Sequence, residues 1–214
     1  MSSTSLRVSG LALAAAASLL SARLAGGMGR SGRLPRTEEG FRAKGPASAP
    51  VLVVEYSDFE CPACRMAEGT IRRIERVYGD NIRFVFVNDP LRMHRWAFRA
   101  AVAAECAGRL GKFWPYHDLL YGYQDEWAFS SDPGPYFSRY AARVGLKAKS
   151  FDECLRDPAA ARSVRSDMER ASREWVGATP TFFVNGRRFV GGLQLASQGT
   201  RWIDAVLKKK GAGT

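Results

Sequence analysis

The sequence has few of the residues that build metal sites. It contains two histidines and four cysteines, and only Cys61 and Cys64 lie close together along the chain. A structural zinc site needs a second close pair of cysteine or histidine ligands. A zinc centre is therefore disfavoured, and we expect no metal and no cofactor.

A dense basic stripe with interleaved aromatic residues is also missing, although the formal net charge is +11. Residues 1–37 contain arginines and no acidic residue, so much of the basic excess lies at the start of the chain. The remaining basic clusters, such as Arg72-Arg73 and Lys208-Lys209-Lys210, are short and scattered. Because nucleic-acid binding requires a concentrated basic surface, we expect no nucleic-acid partner.

Long hydrophobic runs are absent as well. The apolar stretch Val8–Leu20 has the length of a signal-peptide core and is too short for a membrane span. We predict a signal peptide or N-terminal anchor over residues 1–25, with an organellar transit peptide as the alternative. Residues 26–49 are rich in Gly, Arg, Ser and Pro and predict a linker. Ordered structure should then begin near Ala49.

Beyond residue 50, hydrophobic periodicity predicts an α/β chain interrupted by helices. A first half over 50–92 and a second half over 158–210 flank a helical segment over 93–157. The predicted strands cover 51–56, 82–87, 181–184 and 188–190, and the main helices cover 61–78, 158–175 and 196–208. The dipeptide Asn185-Gly186 predicts a tight hairpin turn between the last two strands.

The motif Cys61-Pro62-Ala63-Cys64 opens the first predicted helix directly after a strand and a short loop. A helix N-terminus stabilises a thiolate, which is the form that attacks a disulfide. Cys64 begins the inward stripe of the helix, so it should be shielded and able to resolve a mixed disulfide. This context favours redox activity over an inert structural disulfide or two incidental thiols.

Three segments resemble the DsbA-like proteins of the thioredoxin fold. The segment Val54–Cys64 is similar to the family's active-site segment, and Val176–Gly186 is similar to its cis-proline loop. Gly111–Asp118 resembles part of the family's helical insertion. The resemblance implies a thioredoxin fold with an inserted α-helical subdomain.

The resemblance also implies roles for individual residues. Cys61 would be the nucleophile and Cys64 the resolving thiol, with Pro180 as a cis-proline facing both. Thr179 would line the contact with a substrate peptide. Glu55 occupies the position of the family's buried acid and would move a proton to and from Cys64; a surface-facing glutamate is the alternative.

Phe59, Pro62 and Ala63 complete the expected substrate-binding surface. Strongly oxidising members of the family carry a histidine between the two cysteines, and this chain has Ala63 there. Because a nearby cation lowers the pKa of a cysteine, its absence predicts a less stabilised thiolate and a less oxidising couple. We expect Asp58 and Glu60 to be solvated loop acids, with modulation of Cys61 as the alternative.

Several residues outside the motif also carry expectations. An exported protein with an even number of cysteines favours pairing, and some family members have a second disulfide in the insertion, so we predict a Cys106–Cys154 bridge, with two free thiols as the alternative. His117 should be a core histidine, and His94 a helix cap or surface residue. The aromatic residues of segment 114–127 should pack in the core, although they could instead form a substrate patch.

These patterns predict an exported oxidoreductase that forms disulfides in cysteine-containing protein substrates. We expect it in the periplasm or another extracytoplasmic compartment, either free or anchored to a membrane, with an organelle as the alternative. An oxidase would need a quinone-linked membrane partner, and a reductase or isomerase would need a membrane electron donor. A peptide-binding chaperone that uses the Pro180 groove is the alternative from another class.

Overall fold

The structure, a computed structural model, describes residues 40–211 of the chain. A five-stranded sheet with the order β1-β3-β2-β4-β5 forms its centre. The strands are Ala43–Lys44 (β1), Val51–Ser57 (β2), Ile82–Asn88 (β3), Thr181–Val184 (β4) and Arg187–Val190 (β5). β2 runs parallel to β3, and the other neighbouring strands are antiparallel. The thioredoxin fold is therefore built around β2 as its middle strand.

Helices cover both faces of the sheet and fill the connection after β3. They are Pro62–Tyr78 (α1), Ala97–Arg109 (α2), Phe113–Gly122 (α3), Gln124–Ala128 (α4), Gly134–Arg143 (α5), Ala148–Arg156 (α6), Pro158–Arg173 (α7), Gly191–Gln194 (α8) and Thr200–Gly211 (α9). A π-helical turn, Leu195–Gly199, joins α8 to α9. Within residues 40–211, none of the helices combines the length and the apolarity that crossing a membrane requires.

The alternation of side chains along β2 decides which residues face the active-site helix. Val53 packs in one core cluster with Ile71 of α1, whereas Tyr56 packs on the opposite face with Ala171 of α7. Successive residues of a strand point to opposite faces, so Glu55 shares the face of Val53. This strand register turns Glu55 into the layer beneath α1, where it has no exposed surface.

Helices α2 to α6 form the inserted helical subdomain and enclose an aromatic core. Tyr116, Tyr121 and Trp127 are each at most 1% exposed, so these aromatic residues of segment 114–127 pack in the core and do not form a surface patch. Sequence patterns did not predict α4, whose Trp127 Nε1 donates a hydrogen bond to the carbonyl oxygen of Leu120 at 2.8 Å.

A disulfide joins two helices of the insertion. The sulfurs of Cys106 in α2 and Cys154 in α6 are 2.11 Å apart. The pairing that the family resemblance favoured is thus present, and the alternative of two free thiols is not.

The expected linker is wrong in its last ten residues, which belong to the folded domain. Ala43 and Lys44 pair with β3 as an edge strand, and the ring of Phe41 packs 5.8 Å from that of Phe113. Arg42 forms an ion pair with Asp167 of α7. A two-residue strand and single long-range contacts leave no periodic pattern, which is why the sequence did not reveal them. The expected signal peptide or anchor, and residues 26–39 of the linker, lie outside the described residues.

Removing the Cys106–Cys154 bridge with Cys106→Ala and Cys154→Ala together should lower the free energy of unfolding by about 2–4 kcal/mol. The bridge joins residues separated by 48 positions and restricts the unfolded chain. Urea unfolding followed by circular dichroism measures the change. A stabilising role would be contradicted if the variant and the unmodified chain had equal unfolding free energies and equal slopes of that free energy against urea concentration.

Candidate active site

The end of β2, a three-residue loop and the start of α1 bring the two free cysteines together. Cys61 is the N-cap residue of α1 with an extended backbone, and Pro62 follows at the first helical position. A proline is tolerated there because the N–H that it lacks would be unpaired in the helix anyway. The backbone N–H of Cys61 donates to the carbonyl oxygen of Asp58 at 3.1 Å, which closes the loop.

The two thiols differ in exposure. Cys61 is 6% exposed, whereas Cys64 is completely buried and heads the inward stripe of α1. The sulfur of Cys61 lies 3.5 Å from the carbonyl oxygen of Thr179. The sulfur of Cys64 accepts a hydrogen bond from the backbone N–H of Asp58, also at 3.5 Å. Cys61 therefore retains a small exposed surface at which a reagent can attack, and Cys64 retains none.

Their proton affinities differ as well. The pKa of Cys61 is lowered from 9.0 to about 5, mainly by the hydrogen bond from the Cys64 thiol and further by Thr179 and the backbone N–H groups of Cys64 and Ala63. Burial, together with the hydrogen bond to Cys61 and the charge of that residue, raises the pKa of Cys64 well above its ordinary value. The thiolate at Cys61 is therefore stabilised although Ala63 carries no charge.

The loop acids are not solvated, which corrects the expectation for Asp58. Asp58 is 1% exposed, and its carboxylate accepts hydrogen bonds from the backbone N–H groups of Glu60 and Leu91 at 2.7 and 2.8 Å. Its Oδ2 also lies 2.7 Å from His94 Nδ1. Glu60 is half-buried and accepts from the backbone N–H of Trp96 at 2.6 Å. Both acids hold the loop against the segment after β3.

His94 is a site residue that the sequence did not reveal, since we expected a cap or surface position. Burial lowers its pKa, but the hydrogen bond and charge of Asp58, the charge of Cys61 and that of Glu60 together raise it above the ordinary value. A cation at this position is attracted by the Cys61 thiolate.

Glu55 is a buried acid, not a surface one. Its Oε1 accepts a hydrogen bond from Ser57 Oγ at 2.8 Å, and that hydroxyl lies 2.9 Å from the hydroxyl of Tyr121. Burial and the charge of Glu68 raise the pKa of Glu55 well above its ordinary value. A carboxyl group with a raised pKa can hold a proton near neutral pH and exchange it with a neighbouring sulfur.

The helical insertion also supplies Gln124, which the sequence did not point to. Its side chain is 2% exposed, and Nε2 donates to the carbonyl oxygens of Phe59 and Cys61 at 2.7 and 3.1 Å. The Gln124 amide thereby holds two carbonyl groups of the segment that carries the reactive sulfur.

The expected cis-proline lies opposite the cysteines. The Thr179–Pro180 peptide bond is cis, and both residues are buried. Thr179 is 9% exposed, and its carbonyl oxygen is the group that contacts Cys61. Gly177 and Ala178, just before it, are exposed, and the carbonyl oxygen of Ala178 accepts a hydrogen bond from Thr181 Oγ1 at 2.7 Å.

Phe59 does not belong to a substrate surface, and that expectation is wrong. It is 1% exposed, and its ring stacks on that of Phe86 with centroids 5.1 Å apart. The Phe59 side chain points inward from the loop because Phe86 of β3 is its aromatic packing partner. Pro62 and Ala63 are exposed as expected. Two residues that the sequence did not indicate, Met66 on α1 and Leu193 on the adjoining α8, are 73% and 88% exposed.

Comparison with known proteins gives a consistent picture of the fold. A family model described as thioredoxin matches residues 37–205. A thioredoxin-like oxidoreductase from Silicibacter pomeroyi is 25% identical and superposes with a TM-score of 0.66, over 82% of this chain and 99% of that one. Oxidised BdbD from Bacillus subtilis is also 25% identical, with a TM-score of 0.69 over 78% of this chain and 92% of that one. Wolbachia pipientis α-DsbA1, at 22% identity and a TM-score of 0.69, shares the fold over 78% of this chain and 91% of that one.

Curated relatives with higher identity are much longer proteins. The Na⁺/H⁺ antiporter NhaA 3 of Salinispora tropica is 44% identical over 149 residues, which are 69% of this chain and 22% of that protein. NhaA of Herminiimonas arsenicoxydans is 36% identical over 171 residues, 80% of this chain and 26% of that protein. The chain thus spans about a quarter of the length of these relatives.

The rate at which iodoacetamide alkylates Cys61 in the reduced protein should rise with pH through a midpoint near 5 and then level off, because only the thiolate reacts. Cys64→Ala removes the hydrogen bond that contributes most and should raise the midpoint by at least about one pH unit. Cys64→Ser keeps a hydroxyl donor and should raise it less. A midpoint near 9 in the unmodified protein, the ordinary value for a cysteine, or equal midpoints in all three proteins, would contradict this account.

Proposed function

Since the chain belongs to the thioredoxin family, as a DsbA-like member with an inserted helical subdomain, we propose that it is an exported thiol–disulfide oxidoreductase that forms disulfides in protein substrates. The contrast between the two sulfurs carries the proposal. The pKa of Cys61 is about 5, whereas that of Cys64 is raised. A stabilised thiolate favours the reduced form of the couple, and such a couple gives up its disulfide readily.

The exchange follows from this asymmetry. A substrate thiolate attacks Cys61 Sγ of the Cys61–Cys64 disulfide, a new S–S bond forms, and the electron pair of the broken bond leaves on Cys64. Cys64 takes a proton from the carboxyl group of Glu55. A second substrate thiolate then attacks the substrate sulfur of the mixed disulfide, and Cys61 leaves as a thiolate. The substrate loses two electrons, and the enzyme becomes the reduced form.

The substrate contact would form around the cis-proline. The exposed backbone before Pro180 can pair with an extended peptide as an added strand, beside the Thr179 carbonyl that contacts Cys61. Exposed Pro62, Ala63 and Met66 add an apolar border on the other side of the sulfur. Such a surface would bind unfolded cysteine-containing chains, because these expose apolar side chains. It would not require a particular substrate sequence.

Export and partners belong to the same proposal. A structural disulfide persists in oxidising compartments and is rare in reducing ones, and the Cys106–Cys154 bridge therefore supports a periplasmic or other extracytoplasmic location. A quinone-linked membrane partner would then reoxidise the Cys61–Cys64 pair. The antiporter names describe whole relatives, and the thiol chemistry proposed here concerns the quarter of their length that this chain matches.

A disulfide reductase or isomerase is the second candidate, and Ala63 favours it because no cation lies between the cysteines. Such an enzyme would receive electrons from a membrane donor. A peptide-binding chaperone would use the same groove without turnover of the sulfurs. The following two measurements separate these functions.

The reduction potential of the Cys61–Cys64 pair, measured against glutathione, should be more oxidising than about −200 mV, between the values of about −120 mV for strong oxidants and about −270 mV for thioredoxin. The reason is that its thiolate pKa of about 5 lies between those of the two groups. Ala63→His adds a cation and should move the potential toward the oxidising end. A value near that of thioredoxin would refute the oxidase and favour the reductase.

Cys64→Ser should trap substrates as mixed disulfides on Cys61, because the resolving thiol is missing. Non-reducing gels of an extracytoplasmic extract should show adducts that disappear on reduction, and the matched variant with both Cys61→Ser and Cys64→Ser should show none. Peptide binding without any adduct would favour the chaperone.

A further inference from the structure

Three buried polar atoms on the inner face of α1 and in the layer beneath it have no hydrogen-bond partner in the described part of the chain. They are Glu55 Oε2, Glu68 Oε1 and His117 Nε2. Glu68 is 6% exposed and His117 is 2% exposed. Buried polar groups are almost always hydrogen-bonded. Three unpaired polar atoms on interacting residues therefore indicate that this cluster has a functional role besides stabilising the fold.

His117 connects this cluster to the surface. Its Nδ1 lies 3.0 Å from Asp118 Oδ1, and its Nε2 lies 3.8 Å from Glu68 Oε1. The side chain of Asp118 is 58% exposed, whereas that of Glu68 is 7% exposed. A neutral imidazole carries a proton on one nitrogen and can accept one on the other. A proton taken up on the Asp118 side can therefore be released on the Glu68 side.

Aromatic rings hold the imidazole in this orientation. Five ring centroids lie within 6.0 Å of that of His117, those of Phe59, Phe86, Phe113, Trp114 and Tyr121. These rings offer no imidazole nitrogen or carboxylate with which His117 could exchange protons. Tyr121 carries a hydroxyl and Trp114 an N–H, but the ion-pair contacts of the imidazole are those with Glu68 and Asp118.

The acidic residues of the cluster also interact electrostatically with the active-site sulfurs. Glu68 is the charged group that acts most strongly on Glu55, and Glu55 in turn acts on Cys64. Burial raises the pKa of Glu68 above its ordinary value, although the charges of His117, Arg72 and Lys44 oppose that shift, so its carboxylate accepts a proton more readily than an exposed one. Glu55 has no exposed surface, so it cannot recover a proton from water directly.

A metal ion does not explain the same residues. Glu68, His117 and Asp118 are close enough together to suggest three ligands. However, the two carboxylates lie beside different nitrogens of one imidazole ring. The ring nitrogens point in divergent directions, so an ion bound at one of them would leave the contact at the other nitrogen unused, whereas a proton relay uses both.

We propose that His117 is a proton shuttle between water at Asp118 and the buried acids Glu68 and Glu55 that serve Cys64. The inference rests on the proposed function, because the proton is needed when a disulfide is exchanged. A thiolate attacks Cys61 Sγ, the Cys61–Cys64 bond breaks, and Cys64 leaves with the electron pair and takes the proton of Glu55. Glu55 regains a proton from Glu68, Glu68 from His117 Nε2, and His117 at Nδ1 from water beside Asp118. The reverse exchange sends the proton outward by the same steps.

Stopped-flow exchange with reduced and oxidised glutathione tests the shuttle. Glutamine cannot relay a proton, so His117→Gln should slow exchange in both directions about tenfold or more. The equilibrium constant should stay the same, since a shuttle lowers a barrier and does not change the end states. The solvent deuterium isotope effect on the rate should also rise, which a merely structural role would not cause.

Asp118→Asn provides a second variant that should fold normally, because its side chain is exposed, and it should slow exchange to a smaller degree. Asp152→Asn, the same change elsewhere in the insertion, is the matched control and should leave the rate unchanged. Unchanged rates and isotope effects in both test variants would overturn the shuttle. The use of glutathione distinguishes failure of the shuttle from failure of the proposed function. If the proposed function were wrong, the unmodified protein would exchange normally with glutathione but not with protein substrates.

Discussion

The pKa of Cys61 is lowered chiefly by hydrogen bonding from the Cys64 thiol, and the difference between the two sulfurs depends on that interaction. β2 and α1 bring the two residues to the same end of the sheet. The buried position of Cys64 keeps its proton in place, and the retained proton lowers the pKa of Cys61. A helix N-terminus alone favours a thiolate only modestly, so the difference between the sulfurs depends on the burial of one of them.

The inserted helices take part in the site and do more than extend the fold. Gln124 holds the loop through its carbonyl groups, and Tyr121 reaches the hydroxyl of Ser57 beside Glu55. His117 packs under α1 against Glu68. The residues that orient the sulfurs and those that could carry their proton thus come from a segment far from the cysteines along the chain, and the Cys106–Cys154 bridge holds two of its helices together.

Local sequence patterns predicted the strand–loop–helix unit and the hairpin, because each has a short-range physical cause, whereas the cis-proline loop was implied by the family resemblance. The inward orientation of Phe59 and the pairing of Asp58 with His94 depend on partners brought together only by folding. A turn with two acids and an aromatic residue looks solvated when its partners are unknown. The Cys106–Cys154 pairing was accessible only because the family resemblance supplied a candidate pair.

The contacts of Arg42 make the segment just before the sheet a necessary part of the folded domain. Its guanidinium pairs with Asp167 and lies 3.9 Å from a carboxylate oxygen of Glu105, and all three side chains are largely buried. Removing one partner of a buried ion pair leaves an uncompensated charge and costs about 3–5 kcal/mol. Any cleavage of the chain that keeps this ion pair must therefore fall upstream of Arg42, so the folded domain itself limits where the preceding segment can be cut.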